Sequence, residues 1–143
     1  MTSSDGFGRV RDGFEVPIRV DGDIVVARQQ GRVLASRLGF SSSERTLIAT
    51  AISELARNIL QYAGVGEIVV THVDDGPRPG LVIIARDKGP GIPDLRKALQ
   101  EGYSTSGGLG LGLPGVRRLM DEFEVTSEVG QDTTVTAKKW TRC

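Results

Sequence analysis

The sequence of 143 residues predicts an α+β fold, in which a mainly antiparallel mixed sheet carries helices on one face. Two helical patterns precede a pair of strands, whereas a doubly wound parallel sheet would alternate strands with helices. A third helical pattern is followed by a second pair of strands. Between the halves lies an insert of about twenty residues rich in glycine, serine and threonine, and such an insert is usually a functional lid or a disordered segment.

The first strand and the first helix follow from alternation and from helical spacing. Residues 14–20 alternate, and Pro17 places this strand at an edge of the sheet because proline lacks an amide donor. Residues 23–38 show helical spacing, and Gly39 is a suitable end for the helix. The residues expected roughly on one side of this helix are Val25, Val26, Gln29, Val33, Leu34 and Leu38.

The second helix has a clear start and a polar residue in an apolar arc. Ser41 and Glu44 form a capping box, and the helical pattern runs to about Tyr62. The residues of the continuous arc are Leu47, Ala51, Tyr62, Leu55, Ile48, Ile59 and Ile52. Asn58 falls inside the arc and Glu54 sits at its rim, one turn earlier. A buried, unpaired Asn costs about 1–3 kcal/mol, so either backbone groups pair with Asn58 or this edge of the helix lines a polar cavity.

The second half of the chain reads as two hairpins joined by the insert and a helix. The strands are predicted at residues 67–74 with 81–87, and at residues 124–129 with 133–140. A helix over residues 113–123 accommodates Pro114 in its first turn, where the missing amide has no partner to lose. A short helix over residues 94–101 could lie within the insert.

Composition excludes several classes of function. The 18 basic and 18 acidic residues balance, which argues against nucleic acid as the main partner. No apolar stretch reaches membrane-spanning length, and the single Cys143 suggests a reducing compartment, so we expect a cytoplasmic protein without a membrane partner. Residues 1–12 resemble a flexible tail, and residues 13–143 are expected to form one domain.

Two familiar motifs do not explain the glycines. Gly110-x-Gly112-x-x-Gly115 matches the letters of the dinucleotide fingerprint, but it follows a serine- and glycine-rich loop rather than a buried strand. No G-x-x-x-x-G-K-[ST] phosphate loop is present. The one histidine, His72, lies in the middle of a predicted strand, and together with Cys143 it does not support a zinc site.

A set of motifs in a fixed order is more specific. They are Glu54-x-x-x-Asn58 on a helix, Asp87-x-Gly89-x-Gly91 after a strand, Gly108-x-Gly110-x-Gly112 opening a helix, and Thr133-Thr134 in the last hairpin. This combination resembles the Bergerat ATP-binding fold of gyrase, MutL, heat-shock chaperones, histidine kinases and a group of bacterial serine kinases. The resemblance covers about residues 14–140 and implies a two-layer α/β sandwich with a nucleotide lid.

The resemblance implies an ATP site that also holds Mg²⁺. The residues implied to bind the nucleotide are Asn58, Asp87, Gly89, Gly91, Ile92, Ser104, Thr105, Gly108, Leu109, Gly110, Leu111, Gly112 and Thr134. Asp87 would accept a hydrogen bond from the adenine amino group, and Asn58 would ligate Mg²⁺ through its side-chain oxygen. The glycine loop would present amides to the phosphates, and Thr134 would contact the base side. Glu54 would take the proton from an attacking hydroxyl or water.

The resemblance indicates one group of kinases within this superfamily. The chain is too short for the transducer domain of the gyrase or MutL type, and His72 cannot serve as the phosphoacceptor of a histidine kinase. The stretches EGYSTSGGLGLGLPGVRRLMDEF and VARQQGRVLASRLGFS are similar to those of stressosome switch kinases of the RsbT type, which are close to anti-sigma-factor kinases of the RsbW and SpoIIAB type.

That family implies a set of partners. The substrate would be a serine or threonine on a STAS-domain scaffold or antagonist protein, and the released kinase would bind and activate a PP2C-type phosphatase. Arg28, in the first helix, matches the position through which related kinases meet their partners. Two other functions remain open: an anti-sigma factor that sequesters a sigma factor, and a module that holds nucleotide without catalysis.

Overall fold

The computed structural model describes residues 13–75, 78–87, 112–127 and 132–141. Its elements in chain order are β1 (Gly13–Ile18), α1 (Asp21–Arg37), α2 (Ser42–Tyr62), β2 (Gly66–Asp75), β3 (Arg78–Asp87), α3 (Gly112–Leu119), β4 (Glu122–Ser127) and β5 (Thr133–Trp140). None of the described helices combines the length and the apolar character needed to cross a membrane. The predicted tail at residues 1–12 and the helix predicted at residues 94–101 lie outside the described residues.

The strands form one sheet in the order β1-β2-β3-β5-β4. Every pairing between the described strands is antiparallel. β1 is an edge strand, as Pro17 predicts. Helices α1 and α2 pack against each other and on the sheet, and α3 packs against α2. The α+β class is therefore confirmed, with helices on one face of an antiparallel sheet.

The core lies between α2 and the sheet. The capping box predicted for α2 is present, because Glu44 N donates to Ser41 Oγ and Ser41 N donates to Glu44 Oε1. Most of the predicted arc is buried, although Tyr62 is exposed. The fully buried core side chains include Ile48, Ile52, Leu55 and Ile59 of α2, Ile68 and Val70 of β2, and Leu81 and Ile83 of β3. Burying these side chains is the main favourable contribution to folding.

The buried face of helix α1 coincides only in part with the one predicted, since Leu34 is buried and Leu38 packs against the core. Its buried residues are Ile24, Ala27, Gly31, Leu34 and Ala35. Val25, Val26 and Val33, which were expected on one side, are 45%, 43% and 52% exposed. The small side chains on the buried face allow a close approach to α2, because a Cβ on Gly31 would overlap Ile52 Cδ1. The short distance between α1 and α2, rather than side-chain hydropathy, therefore determines which face of α1 is buried.

The start of α1 is set by Asp23. Its carboxylate accepts hydrogen bonds from the backbone amides of Arg19 at 2.9 Å and Val20 at 3.1 Å. These bonds lower the pKa of Asp23 because they stabilise its ionised form. The helix begins at Asp21, two residues before the helical spacing predicted from residue 23.

Helix α3 ends earlier than predicted. It stops at Leu119, and β4 begins at Glu122, whereas helical spacing continues in the sequence to Phe123. Two contacts with β5 account for the difference. Lys139 Nζ, on a residue only 5% exposed, donates to the Leu119 carbonyl at 2.9 Å, and Trp140 N donates to Asp121 Oδ2 at 2.8 Å. The chain is thus turned into the sheet within two residues of the helix end.

The opposite face of the sheet carries charged side chains. Arg86 Nε and Nη2 lie 2.8 Å and 2.7 Å from Glu67 Oε2. The hydrogen bond to Glu67 and the negative charge of Glu67 raise the pKa of the exposed Glu15 on the neighbouring strand β1. Both carboxylates alternate with buried residues along their strands, so this cluster lies away from the helices.

Candidate active site

Glu54, Arg57 and Asn58 lie in the second half of α2, where neighbouring residues belong to the core. Glu54 is only 8% exposed. Arg57 Nη1 donates to Glu54 Oε2 at 2.6 Å, so the buried carboxylate has a cationic partner one turn along the helix. Asn58 is half-buried on the next turn after Glu54. The helix therefore presents a carboxylate and a carboxamide at consecutive turns.

A row of paired residues crosses the end of the sheet. Asp87 is the last residue of β3 and faces Gly66 on β2 and Thr133 on β5. Thr133 in turn faces Ser127 on β4, and the two hydroxyl oxygens are 3.0 Å apart. Thr133 is buried, and it belongs to the alternating set of β5 that points towards the helices. The row places a carboxylate and two hydroxyls side by side.

Gly66 joins this row to α2. A Cβ on residue 66 would lie 2.7 Å from Ile59 Cγ2 and 3.1 Å from Asp87 Cβ. Only glycine allows the two elements to approach so closely. Because Asn58 directly precedes Ile59, the turn of α2 that carries the carboxamide meets the end of β3 that carries Asp87. Ile59 and Asp87 thus lie on either side of Gly66, although 28 positions separate them in the sequence.

Thr134, which was expected to contact the base side of the nucleotide, lies on the other face of the sheet. It alternates with the buried Thr133 and faces Arg86 and Thr126 in the pairing register. Asp87 and Thr133 are direct register partners, so the hydroxyl beside Asp87 belongs to Thr133. Successive strand residues point to opposite faces, so Thr133 becomes a second candidate for the base side, and the role of Thr134 stays a prediction.

The N-terminus of α3 begins at a glycine with a left-handed backbone. Gly112 has φ +69°, a conformation that side-chain-bearing residues rarely adopt. Leu113 and Val116 are buried in the core, which fixes α3 against α2. Helix N-termini present unpaired amides that favour anions, so the position of Gly112 is compatible with its expected role near phosphate.

The remaining predicted site residues belong to the segment between β3 and α3. Residues that lie outside the described part of the chain are Gly89, Gly91, Ile92, Ser104, Thr105, Gly108, Leu109, Gly110 and Leu111. Their roles stay predictions. The segment connects Asp87 directly to Gly112, so both of its ends lie at described residues of the candidate site.

A magnesium site can be tested against the donors present. The described residues contain no group of three or more His, Cys, Asp or Glu side chains that could hold a metal ion. Mg²⁺ does not need such a cage, since it is commonly bound by one or two protein oxygens together with phosphate oxygens and water. Asn58 offers a half-buried side-chain oxygen of the type Mg²⁺ accepts. The donor set fits a magnesium ion delivered with nucleotide.

Comparison with known proteins identifies the family of this chain. Residues 43–141 match the model of the family described as histidine kinase-, DNA gyrase B- and HSP90-like ATPase. The chain belongs to this family. It is also 57% identical over 127 residues to the serine/threonine-protein kinase RsbT of Bacillus subtilis, covering 89% of this chain and 96% of that protein. It therefore groups with the RsbT-type serine/threonine kinases, and the family predicted from the sequence is confirmed.

More distant relatives extend the comparison. The anti-sigma F factor of Geobacillus stearothermophilus is 33% identical over 122 residues, which cover 79% of this chain and 81% of that protein. Among solved structures, the SiaB–SiaC complex of Pseudomonas aeruginosa contains a similar chain, with a TM-score of 0.59, 14% identity and coverage of 97% and 99%. The RsbU and RsbW domains of a Mycobacterium tuberculosis protein give a TM-score of 0.60 at 20% identity, with 92% of this chain matching 33% of that one. These structures support the fold.

Three residues of the site were missed by sequence reasoning. Arg57 lies three positions after Glu54, a spacing at which opposite charges on a helix meet, so this signal was present. Gly66 begins a strand, and a glycine there often marks a close approach of backbone. Ser127 carried no signal, because its contact with Thr133 depends on the register of β4 and β5.

Proposed function

We propose that this protein uses ATP and Mg²⁺ to phosphorylate a serine or threonine on a STAS-domain scaffold or antagonist protein of a cytoplasmic stressosome. By switching partners it would then bind and activate a PP2C-type phosphatase. The observation that carries the proposal is the buried carboxylate of Glu54 one turn before Asn58, on a helix that meets Asp87 across Gly66. The 57% identity to RsbT supports the same class of reaction.

The residues divide the reaction between binding and proton transfer. Asp87 would accept a hydrogen bond from the adenine amino group, with the Thr133 hydroxyl beside it. Asn58 would hold Mg²⁺, which when bound would neutralise charge on the phosphates. The hydroxyl oxygen of the substrate would attack the γ-phosphorus, and the bond to ADP would break. Glu54 would accept the proton of that hydroxyl.

The test separates binding from chemistry. Parent, Asn58→Ala, Asp87→Asn and Glu54→Gln are compared for affinity for ADP with Mg²⁺ by calorimetry, and for phosphate transfer from ATP to a STAS-domain protein. We expect the first two variants to lose nucleotide binding, and Glu54→Gln to bind ADP normally but transfer phosphate about 10²–10⁴-fold more slowly. Asp74→Asn, at the far end of β2, serves as the control.

The possible results discriminate between functions. Full transfer by both Asn58→Ala and Asp87→Asn would contradict the assigned site. Parental transfer by Glu54→Gln would remove the general-base role. Nucleotide binding by the parent without transfer to any STAS-domain protein would favour a module that holds nucleotide without catalysis.

The exposed face of α1 is proposed as the surface for the protein partner. Arg28 is half-buried on α1, three positions after the exposed Val25, and Val26 and Val33 are exposed on the same helix. Apolar side chains left in solvent on a helix that also carries arginines suit a protein partner with apolar and acidic groups. Arg28→Ala and Val33→Asp should weaken capture of the STAS-domain protein and of the phosphatase. Neither change should alter ADP affinity.

The 33% identity to an anti-sigma F factor supports a second candidate, in which the main act is sequestering a sigma factor and phosphorylation releases it. A pull-down with the purified chain separates the two functions. Recovery of a sigma factor would favour the second candidate, and recovery of a phosphatase or a STAS-domain scaffold would favour the first.

A further inference from the structure

Arg57 lies between the two functional side chains of α2. Its Nη1 atom is 2.6 Å from Glu54 Oε2, and Asn58 is the next residue. The two ends of this pair have different surroundings, since the Glu54 side chain is 11% exposed and the Arg57 side chain 49% exposed. A short hydrogen bond therefore links a buried carboxylate to a guanidinium that reaches solvent.

This geometry has two physical effects on Glu54. The terminal torsion of a glutamate is broad and lacks sharply defined staggered minima, so a fixed hydrogen bond is needed to hold the carboxylate plane. The positive charge of Arg57 also compensates for taking the negative charge of Glu54 out of water. A guanidinium group is a hydrogen-bond donor only, so Arg57 can hold the Glu54 carboxylate by donating to it. Its effect on a reaction at this site would be transmitted through Glu54.

We propose that Arg57 is a positioning residue for phosphoryl transfer. It holds the Glu54 carboxylate in the orientation that receives the proton of the attacking serine or threonine hydroxyl. This inference depends on the proposed role of Glu54 as the base. In the step, the hydroxyl oxygen bonds to the γ-phosphorus, the bond to the bridging oxygen of ADP breaks, and the proton passes to Glu54.

The experiment measures kcat, KM for ATP, and ADP affinity in the full-length chain with a STAS-domain substrate. The variants are Arg57→Ala, Arg57→Lys, Glu54→Gln and the double variant of Arg57→Ala with Glu54→Gln. For Arg57→Ala we expect kcat to fall about tenfold or more, within the range of base catalysis, while KM for ATP and ADP affinity change by less than about twofold. Arg57→Lys should recover part of the rate, because lysine can still donate to the carboxylate.

Arg86→Ala is the matched control for a structural role. Arg86 is 50% exposed and pairs with Glu67 at 2.7 Å, so its exposure and its ion pair resemble those of Arg57, but it lies on the opposite face of the sheet. Both alanine variants should show similar small changes in Tm. Only Arg57→Ala should show the fall in kcat.

The double variant decides whether Arg57 acts through Glu54. If it does, Arg57→Ala should have no further effect on kcat once Glu54→Gln is present. The inference would be overturned if Arg57→Ala lowered kcat by the same factor in the Glu54→Gln background as in the parent. A parental kcat in Arg57→Ala alone would also overturn it. A large loss of ADP affinity in Arg57→Ala would instead assign Arg57 to direct contact with nucleotide. If Glu54→Gln alone transfers phosphate at the parental rate, the proposed base is wrong, which is a separate failure.

Discussion

Replacing Gly66 by alanine would test how tightly α2 closes on the end of β3. The added Cβ would overlap the backbone oxygen of Arg86, and it would lie 2.7 Å from Ile59 Cγ2 and 3.1 Å from Asp87 Cβ. Carbon atoms prefer separations of about 3.5–4.0 Å. Ile59 is 2% exposed, and the Arg86 oxygen belongs to a paired strand, so neither atom can move aside freely. Relief requires a shift of the backbone of β2, β3 or α2.

The size of the effect follows from these overlaps. Overpacking a core costs about 1–3 kcal/mol, and an obstruction by backbone places Gly66→Ala near the upper end, at about 3 kcal/mol. In a domain of this size each kcal/mol lowers Tm by about 3–4 °C, so Tm should fall by about 10 °C. The same shift displaces Asp87 relative to the turn of α2 that carries Asn58. We therefore also expect weaker binding of ADP with Mg²⁺.

The assay is urea denaturation followed by circular dichroism, together with calorimetric titration of ADP. Gly22→Ala is the control, because a Cβ at that position on α1 meets nothing within 4 Å. It should leave ADP affinity unchanged and stabilise the fold by up to about 1 kcal/mol, since alanine favours a helix more than glycine does. A parental urea midpoint and parental ADP affinity in Gly66→Ala would refute the argument that this junction admits only glycine.

Three further predictions concern charge and hydrogen bonding in the fold. The pKa of Asp23 is lowered in the folded state, so its carboxylate stabilises the fold above the unfolded pKa of 3.8, and this stabilisation is lost as the pH falls through the folded pKa. Asp23→Asn should therefore lower Tm at pH 7, and this difference in Tm should disappear as the pH falls below 3.8. A Tm difference independent of pH would contradict this. Glu67 raises the pKa of Glu15, so the fold loses stability as the pH rises above 4.5 and Glu15 ionises beside Glu67. Glu15→Gln should therefore raise Tm at pH 7 and have little effect near pH 4. A lower Tm at pH 7 would count against repulsion between the two carboxylates. Lys139→Met leaves the last carbonyl of α3 without its buried donor and should cost about 1–3 kcal/mol in urea denaturation, whereas Lys138→Met, with its side chain on the other face of the sheet, should cost far less.

The types and order of the described elements could be predicted because their signals are local. The capping box of Ser41 and Glu44 marks the start of α2 without reference to the rest of the chain. Pro17 predicts an edge strand because the missing amide donor is a property of one residue. The order of the motifs along the chain, from Glu54 and Asn58 on α2 to Asp87 at the end of β3, was sufficient to predict the family.

The features that could not be predicted depend on contacts between elements. The valines of α1 are more apolar than Ala27 and Gly31, yet the small residues are buried because only they allow α1 to approach Ile52. Thr133 and Thr134 are chemically identical neighbours, and only the pairing with β3 decides which faces the helices.

The row from Gly66 through Asp87 and Thr133 to Ser127 draws one residue from each of four strands. An adenine base bound at this row would contact residues that move apart when the pairing of β4 with β5 is lost. A sheet that has lost this pairing would therefore have no affinity for adenine. Bound nucleotide should then slow amide hydrogen exchange in the edge strand and in the central strands alike. Amide hydrogens of β4 would exchange more slowly with ADP bound, although that strand carries none of the residues proposed to contact phosphate.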